Sequence, residues 1–401
     1  MLSFNSASVR IVNSHRAIAE CLDIALPEGI PADIRLIMFT CTLGHKLDRL
    51  GEVISELAPG AVVLGNSASG TIGREGVGES MNEVAIMSIS GPAHECVSAS
   101  VSDIFGHNAY AKGLSLARDL KSKAKENDIR SIYLLCPGID IANDLVLKAF
   151  VEIFGEEVDI FGGTSSDNMR GLINYQYHNG VLSEHDAWAV GFADPTLKSV
   201  TRATHGFSAY GEPLIATKVD GNRIIEFDGR PAWKEYTQRL SLPESSLCGD
   251  TIPVGALAEK LSEELAREYG NPHILRVITK YDPDGSIYYP VTCREGLKVW
   301  LTSRDEDLIF SEQKRSLEYL ASQMEGGRPV AVFQTDCLAR GRFLFNKVVK
   351  DEIIAMMQSF LIDKNKATPP WLGMYGFGEY ARLGGKNTYH NYSTALLALY
   401  R

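Results

Sequence analysis

The sequence predicts an α/β fold of the mixed α+β type, with two domains that are each a mixed sheet covered by helices. Strands and helices alternate up to Thr164, which is typical of a parallel or mixed sheet with helices on its faces. Antiparallel strand pairs with tight turns follow that point. The length of 401 residues favours two or three domains, each large enough to bury a core.

The elements of the first half follow from apolar runs and from turn and cap signals. Asn143 is expected to cap a helix, because its side chain can accept a bond from a free N–H group. Asn179-Gly180 and residues 220–222 predict hairpin turns. The predicted strands are 34–40, 61–64, 83–90, 131–135, 158–161, 175–178, 181–182, 188–192, 216–219 and 223–227, and the predicted helices are 46–57, 109–125 and 144–154.

The second half shows the same kinds of signal. Pro231 is expected to open a helix, because its fixed backbone angle suits the first helical position. The turn at 282–285 predicts a hairpin of strands 275–281 and 286–291, which strand 298–302 extends. The other predicted elements are helices 231–240, 309–324 and 350–360 and strands 330–333, 374–377 and 388–399. The predicted organisation is a lead-in at 1–33, a first domain at 34–229 and a second domain at 230–401.

Composition and charge indicate a globular protein of a reducing compartment. Apolar residues make up 45% of the chain and charged residues 22%, which are ordinary globular values. The seven cysteines form no Cys-x-x-Cys pair, which argues against a disulfide framework and against a zinc site. The net charge of −10 comes without a basic stripe, and the N-terminus lacks the features of a signal peptide. We therefore expect a cytoplasmic protein that neither binds nucleic acid nor inserts into a membrane.

Four segments of glycine and small polar residues follow buried-looking strands, at residues 65–70, 162–167, 333–341 and 373–379. Glycine lets the backbone approach a ligand closely, so four such ends predict a binding pocket. Asp336 and Arg340 lie four residues apart in the third segment. An arginine fork there could hold a carboxylate, and an aspartate could receive an ammonium group. Glu379 offers a second carboxylate where two glycines clear space.

The order and spacing of several motifs resemble the FIST family of bacterial two-domain intracellular sensors. The matching motifs are Gly162-Gly163-x-x-x-Asp167, Phe333-x-x-Asp336-Cys337-x-x-Arg340, Gly376-x-Gly378-Glu379 and His390-Asn391-x-x-Thr394. Asn66 stands where the family has a cysteine, and Thr71 where it has a glutamate. The resemblance runs from about Ile34 to the C-terminus, and it implies a FIST N-like domain followed by a FIST C-like domain.

The resemblance implies a sensor of a small molecule, amino-acid-like in our interpretation, that signals in trans to a protein such as a histidine kinase or a cyclase. The predicted ligand-binding residues are Arg340, Asp336, Cys337, Glu379, Asn391, Thr164 and Asp167. The alternative is that Asp336 and Arg340 form a structural ion pair and that Asp167 caps a turn. Arg340→Ala is expected to abolish carboxylate binding and to leave folding intact.

A haem-binding alternative also comes from the resemblance, because some FIST proteins are described as haem-based nitric-oxide sensors that regulate a histidine kinase. Haem needs an axial ligand, most simply a histidine in an apolar pocket. His390 and His205 are the candidates for the haem iron, and binding would be non-covalent because Cys-x-x-Cys-His is absent. A lone histidine is more often a hydrogen-bonding residue of the core. The cofactor therefore stays open, with haem as the candidate.

We do not expect an enzyme, because the sequence lacks the nucleophile elbow, the phosphate loop and the His-Glu-x-x-His motif. A second alternative is nevertheless an enzyme that uses Cys337 or Ser67 as its nucleophile. Either residue would need a base nearby to activate it. The sequence shows no such base adjacent to either one.

Overall fold

The computed structural model describes residues 1–124, 128–168, 171–341, 347–362 and 367–401, with the backbone alone at 347–349. Lys125, the last residue of one predicted helix, lies outside the described residues. The described chain is a mixed α/β structure of four sheets and nine α-helices. None of these helices is long and apolar enough to cross a membrane.

The elements of the first half alternate as predicted, and they begin earlier than predicted. Residues 1–33, expected as a lead-in, form a strand and a helix. The elements are β1 (Ser3–Arg10), α1 (Ser14–Ala25), β2 (Ile34–Cys41), α2 (Leu47–Leu57), β3 (Val62–Ser67), β4 (Thr71–Gly73), β5 (Gly76–Gly78), β6 (Glu83–Ser90), β7 (Cys96–Val101), α3 (Ala109–Ala124), β8 (Ser131–Cys136), α4 (Asn143–Phe154), β9 (Asp159–Thr164), β10 (Gln176–His178), β11 (Val181–Ser183), β12 (Ala187–Phe192) and β13 (Lys198–Thr204).

The second half contains more and shorter strands. Its elements are β14 (Phe207–Asp220), β15 (Arg223–Phe227), β16 (Arg230–Pro231), α5 (Ala232–Arg239), α6 (Cys248–Thr251), β17 (Leu257–Lys260), α7 (Glu263–Tyr269), β18 (His273–Arg276), β19 (Ile287–Tyr288), β20 (Lys298–Arg304), α8 (Glu306–Gln323), β21 (Pro329–Cys337), α9 (Lys347–Phe360), β22 (Trp371–Gly376), β23 (Glu379–Leu383), β24 (Lys386–His390) and β25 (Thr394–Tyr400).

The strands form four sheets, and two of them combine strands from both halves of the chain. The first sheet has the order β1-β6-β2-β3-β10-β11, and the fourth has the order β16-β15-β14-β20-β17-β18 with β19 on β15. The second sheet, β24-β23-β9-β8-β12-β7, and the third, β13-β25-β21-β22-β4-β5, each contain strands from before and after residue 229. The two halves are therefore interlaced by main-chain hydrogen bonds.

Three pairs of described strands run parallel, namely β2 with β3, β8 with β9, and β21 with β22. Together these pairs lead into the four glycine-marked segments of the sequence, because β21 and β22 each end in one. The N–H of Ser166 donates to the carbonyl of Ser67 at 3.1 Å, and the N–H of Ser69 donates to the carbonyl of Tyr375 at 3.0 Å. The carboxyl ends of the three pairs therefore meet at one place, as the strand-end pattern indicated.

An aromatic core lies between the first three sheets. The rings of Tyr133 and Trp188 stack with their centroids 5.5 Å apart, and Phe333 packs 5.4 Å from Tyr133. Phe161, from the second sheet, packs 5.3 Å from Phe333 of the third. Aromatic side chains bury large apolar areas, so this cluster stabilises the interlaced arrangement that positions the strand ends.

Asn143 does not cap helix α4, contrary to the prediction. It is the first residue of the helix, and Ala142 occupies the cap position. The Asn143 side chain instead donates to the carbonyl of Pro290 at 3.3 Å and accepts from the Tyr380 hydroxyl. Partners that are distant in sequence have therefore replaced the local cap.

Two predicted strand arrangements in the second half are only partly correct. The hairpin at the turn 282–285 forms over a short stretch, where Tyr281 pairs with Ile287 and the N–H of Tyr288 donates to the carbonyl of Lys280 at 2.9 Å. However, β20 does not extend it, because β20 lies between β14 and β17, and the earlier part of the first arm, β18, pairs with β17. The predicted strand 388–399 is interrupted at 391–393, so β24 and β25 belong to different sheets. In both arrangements, the observed pairing includes strands that are distant in sequence.

Candidate functional site

Asp336 and Arg340 form a buried pair at the end of β21. Asp336 is the last strand residue but one, and a single helical turn, Leu338–Arg340, brings the guanidinium back towards it. The Arg340 Nε lies 3.9 Å from the Asp336 Oδ2, and both residues are only 2% exposed. Burial raises the pKa of Asp336, while the charge of Arg340 and a bond from Gln334 at 2.8 Å oppose that rise.

Glu379, the first residue of β23, belongs to the same polar cluster. Its Oε2 accepts from the Ser393 hydroxyl at 2.7 Å and from the Ser393 N–H at 3.3 Å. Its Oε1 is buried and has no hydrogen-bond partner among the described residues. Burial raises the pKa of Glu379 well above its usual value, and the negative charge of Asp336 adds to this effect. Asp336, Arg340 and Glu379 are therefore coupled electrostatically, and we call them the buried cluster.

Strands from both halves meet beside the buried cluster. Glu379 lies opposite Gly163 in the pairing of β23 with β9. The N–H of Thr164 donates to the carbonyl of Gly378 at 3.0 Å. A Cβ atom on Gly163 would lie only 2.4 Å from the Gly378 carbonyl oxygen, so glycine is required for this close approach. Thr164, a predicted ligand-binding residue, thus lies at the edge of the buried cluster.

Asp167 and Asn391 bond to the main chain. The Asp167 carboxylate accepts from the N–H groups of residues 171–173 at 3.1, 2.8 and 3.3 Å, so it caps the following loop. The Asn391 amide donates to the carbonyl of Phe377 at 2.8 Å and accepts from the N–H of Val277 at 3.4 Å. The structure therefore brings Arg340, Asp336 and Glu379 together and gives these two residues architectural contacts.

Sequence reasoning missed a serine network that joins the strand ends. The Ser166 hydroxyl donates to the carbonyl of Tyr375 at 2.7 Å and accepts from the N–H of Ser69 at 2.9 Å. The Ser69 hydroxyl donates to the carbonyl of Asp167. The only signal for this network was the presence of serine in two glycine-marked segments.

A second missed feature is the buried ion pair of Glu79 with Lys350, which involves a loop and a helix 271 residues apart. Both side chains are more than nine-tenths buried. The charge of Glu79 contributes to the raised pKa of Asp336, so the pair belongs to the electrostatic surroundings of the buried cluster. No local sequence pattern links these two residues.

Neither proposed nucleophile is arranged as an activated one. Burial raises the pKa of the Cys337 thiol well above its usual value, and the negative charge of Glu379 adds to this, so the thiol stays protonated. The Ser67 hydroxyl donates to the carbonyl of Ser166 at 2.7 Å and accepts from the N–H of Tyr175 at 2.8 Å. Its bonds hold the strand ends together.

His205 does not fit the role of haem ligand in this arrangement, whereas the Nε2 of the buried His390 has no hydrogen-bond partner among the described residues. The His205 Nε2 bonds the carbonyl of His273 at 2.8 Å, and its Nδ1 accepts from the N–H of Phe207 at 3.2 Å. Both ring nitrogens are thus occupied. His390 is fully buried and bonds the Tyr269 hydroxyl through Nδ1 at 3.1 Å. Burial lowers the pKa of His205 to about 4 and that of His390 to about 3, so both rings are neutral core residues.

The comparisons with known proteins agree with the motifs. The FIST N domain matches residues 35–230, and the FIST C domain matches residues 232–382. The chain belongs to the FIST family. FIST domains are generally sensory domains of signal transduction. The buried cluster thus consists of FIST C residues, and the FIST N residues Gly163 and Thr164 lie against it.

Two proteins from two strains of Mycobacterium tuberculosis are similar to this FIST protein along its length. Each is described as an uncharacterized protein and is 25% identical over 393 residues, covering 96% of both chains. These relatives therefore give no information about the function of this chain.

Solved structures of cyanuric acid hydrolase show a weak likeness. One covers 99% of both chains at 8% identity with a TM-score of 0.36. Another, from A. caulinodans, covers 51% of this chain and 72% of its own at 10% identity with a TM-score of 0.29. Likenesses this weak give no basis for assigning an activity to this chain.

Proposed function

We propose that this FIST protein senses a small amino-acid-like zwitterion at the buried cluster of Asp336, Arg340 and Glu379 and signals in trans to a partner protein. The proposal is based mainly on the environment of the Glu379 carboxyl group. It is fully buried beside a cation and a second acid, and its Oε1 has no hydrogen-bond partner among the described residues. A buried acceptor without a partner costs free energy, which a bound donor would recover.

The chemistry of the cluster matches a zwitterion. A guanidinium binds a ligand carboxylate through charge-assisted hydrogen bonds, and the Arg340 Nε lies 3.9 Å from the Asp336 carboxylate. An ammonium group next to Glu379 would favour the ionised carboxylate and thus lower its raised pKa. Ligand binding and ionisation of Glu379 are then coupled.

The enclosure of the cluster connects binding with signalling. The three side chains are at most 2% exposed, so a ligand enters only when the surrounding strands separate. The junction between β9 and β23 joins the two halves beside the cluster. A ligand that prefers the opened or rearranged junction shifts the population towards that state. A partner such as a histidine kinase or a cyclase would respond to the change.

Calorimetric titration and thermal unfolding with the free amino acids test this proposal. We expect one or more amino acids to raise the melting temperature of the wild-type protein and of Glu235→Gln, which changes a buried glutamate of α5. Glu379→Gln should fold and lose the ligand-induced shift, because its neutral amide lacks the negative charge that pairs with the ammonium group. An unchanged shift in Glu379→Gln, or no shift with any amino acid, would refute the proposal.

An absorbance spectrum separates this proposal from haem sensing. The purified protein, supplied with haem under reducing conditions, is scanned with and without nitric oxide. We expect no band that shifts with the gas, because both nitrogens of His205 are bonded and His390 is buried against Tyr269. A shifting band that disappears in a histidine variant would establish the haem alternative instead.

A further inference from the structure

A polar cavity of about 220 Å³ lies beside β13, where the second and third sheets meet helices α7 and α8. The lining residues that matter here carry charges, hydroxyls or an aromatic ring: Asp159, Ser199, Arg202, Glu268, Tyr319 and Arg382. None of them belongs to the buried cluster. Pockets for drug-sized ligands hold about 300–1,000 Å³, so this cavity suits a small molecule.

Arg202 supplies the cavity with a positive charge that has no carboxylate within ion-pair distance among the described residues. Its guanidinium lies over the Tyr319 ring at 4.4 Å from the centroid, and its Nη2 donates to the carbonyl of Glu268 at 2.6 Å. The negative charges of Glu268 and Glu312 act on it from a greater distance and favour its charged form. Burial and the positive charge of Arg315 lower its pKa from the usual value, which an anion bound beside it would counteract.

Arg382, the other cation of the cavity, is already occupied. Its Nη1 lies 3.0 Å from the Asp159 carboxylate, and its Nη2 donates to the carbonyl of Gly385 at 2.5 Å. Ser199 donates to the same carboxylate at 2.5 Å. The charges of Arg382 and Asp159 are thus paired with each other. Arg202 is therefore the cation of this cavity that we expect to bind a ligand.

We propose that this cavity binds a small monocarboxylate, held by the Arg202 guanidinium. The charges of the two arginines are balanced by Asp159 and Glu268, so the lining is neutral overall and one negative charge on the ligand suits it better than two. The planar fork of arginine matches the two oxygens of a carboxylate. The Tyr319 ring holds that fork in place through the cation–π contact. This site does not depend on the proposed function of the buried cluster.

Saturation-transfer NMR with acetate as the probe tests the site. We expect saturable acetate binding to the wild-type protein, weakened about tenfold to a hundredfold in Arg202→Gln. Arg202→Lys keeps the charge and loses the fork, so its binding should fall between the two. Arg35→Gln is the matched control, because Arg35 lines a different cavity and donates to the carbonyl of Gly91. It should bind acetate like the wild-type protein.

Three results would overturn the proposal. The first is an absence of saturable acetate binding to the wild-type protein. The second is binding that is unchanged in both folded Arg202 variants, since this would place the acetate elsewhere, including at the buried cluster. The third is inorganic phosphate binding more tightly than acetate, which would contradict the preference for a single negative charge. Thermal unfolding of each variant confirms that the compared proteins are folded.

Discussion

The Arg340 guanidinium and the Asp336 carboxylate are a pair of opposite charges 3.9 Å apart in the interior of the protein, each only 2% exposed. A buried ion pair can contribute little net stability, but removing one member leaves the other charge buried without its counter-charge. Arg340 is therefore a structural residue whether or not it also binds a ligand. The expectation that Arg340→Ala would leave folding intact has to be changed.

We predict that Arg340→Ala lowers the free energy of unfolding by about 3–5 kcal/mol, because Asp336 is left as an uncompensated buried charge. Urea denaturation of both proteins measures the difference. The double variant Asp336→Asn/Arg340→Met removes both charges and should recover part of the loss. If Arg340→Ala has wild-type stability, or if the double variant is less stable than the single one, the two charges are not a buried structural pair.

The pH dependence of the free energy of unfolding should reveal the raised pKa of Glu379. Its folded pKa is raised, so the native state holds the proton more tightly than the unfolded state does. That contribution is fully present below the unfolded pKa of about 4.3 and is lost as the pH rises towards the folded pKa. Each unit of pKa difference is worth about 1.4 kcal/mol.

We predict that Glu379→Gln gains stability relative to the wild-type protein as the pH rises above about 4.3, because the amide has no proton to lose. Urea denaturation at a series of pH values gives the difference between the two proteins, in which the titrating groups that are not coupled to Glu379 cancel. Parallel curves across the series would mean that the pKa of Glu379 is the same in the folded and the unfolded protein.

His205 should have the opposite effect, because burial lowers its pKa to about 4 from the usual 6.5. The unfolded state then binds the proton first as the pH falls, so stability is lost between about pH 6.5 and pH 4. We predict that His205→Asn loses about 3 kcal/mol less than the wild-type protein over this range. Denaturation at both pH values measures this. His15→Asn changes an exposed histidine of α1 and is the control. A wild-type pH dependence in His205→Asn would contradict the assignment.

The convergence of strand ends could be predicted from sequence, because glycine and serine runs mark where parallel strands stop. The proximity of Asp336 and Arg340 could be predicted too, since a short turn brings residues four apart together. Their complete burial could not. It depends on β23 and β9 pairing across the two halves, which local patterns do not encode.

The contact between Arg202 and Tyr319 could not be predicted from local sequence patterns either. The first lies on β13 and the second on α8, and neither stands in a recognisable motif. Their contact arises only because β13 joins the third sheet through β25 and α8 packs against it. The prediction of Asn143 as a helix cap failed for a related reason, since Pro290 and Tyr380 are partners that only the tertiary structure supplies.

The junction of β9 and β23 allows a direct test of how closely the two halves approach. We predict that Gly163→Ala lowers the free energy of unfolding by about 3 kcal/mol, because its Cβ would lie 2.4 Å from the carbonyl oxygen of Gly378 and the backbone must shift. Thermal and urea unfolding measure the loss. Gly113→Ala is the control, since it lies within helix α3, where alanine is favoured and the nearest atom is a side-chain Cβ at 3.0 Å. Its stability should change much less. If Gly163→Ala unfolds like the wild-type protein, the strands leave room there, and a ligand could reach Glu379 without separating them.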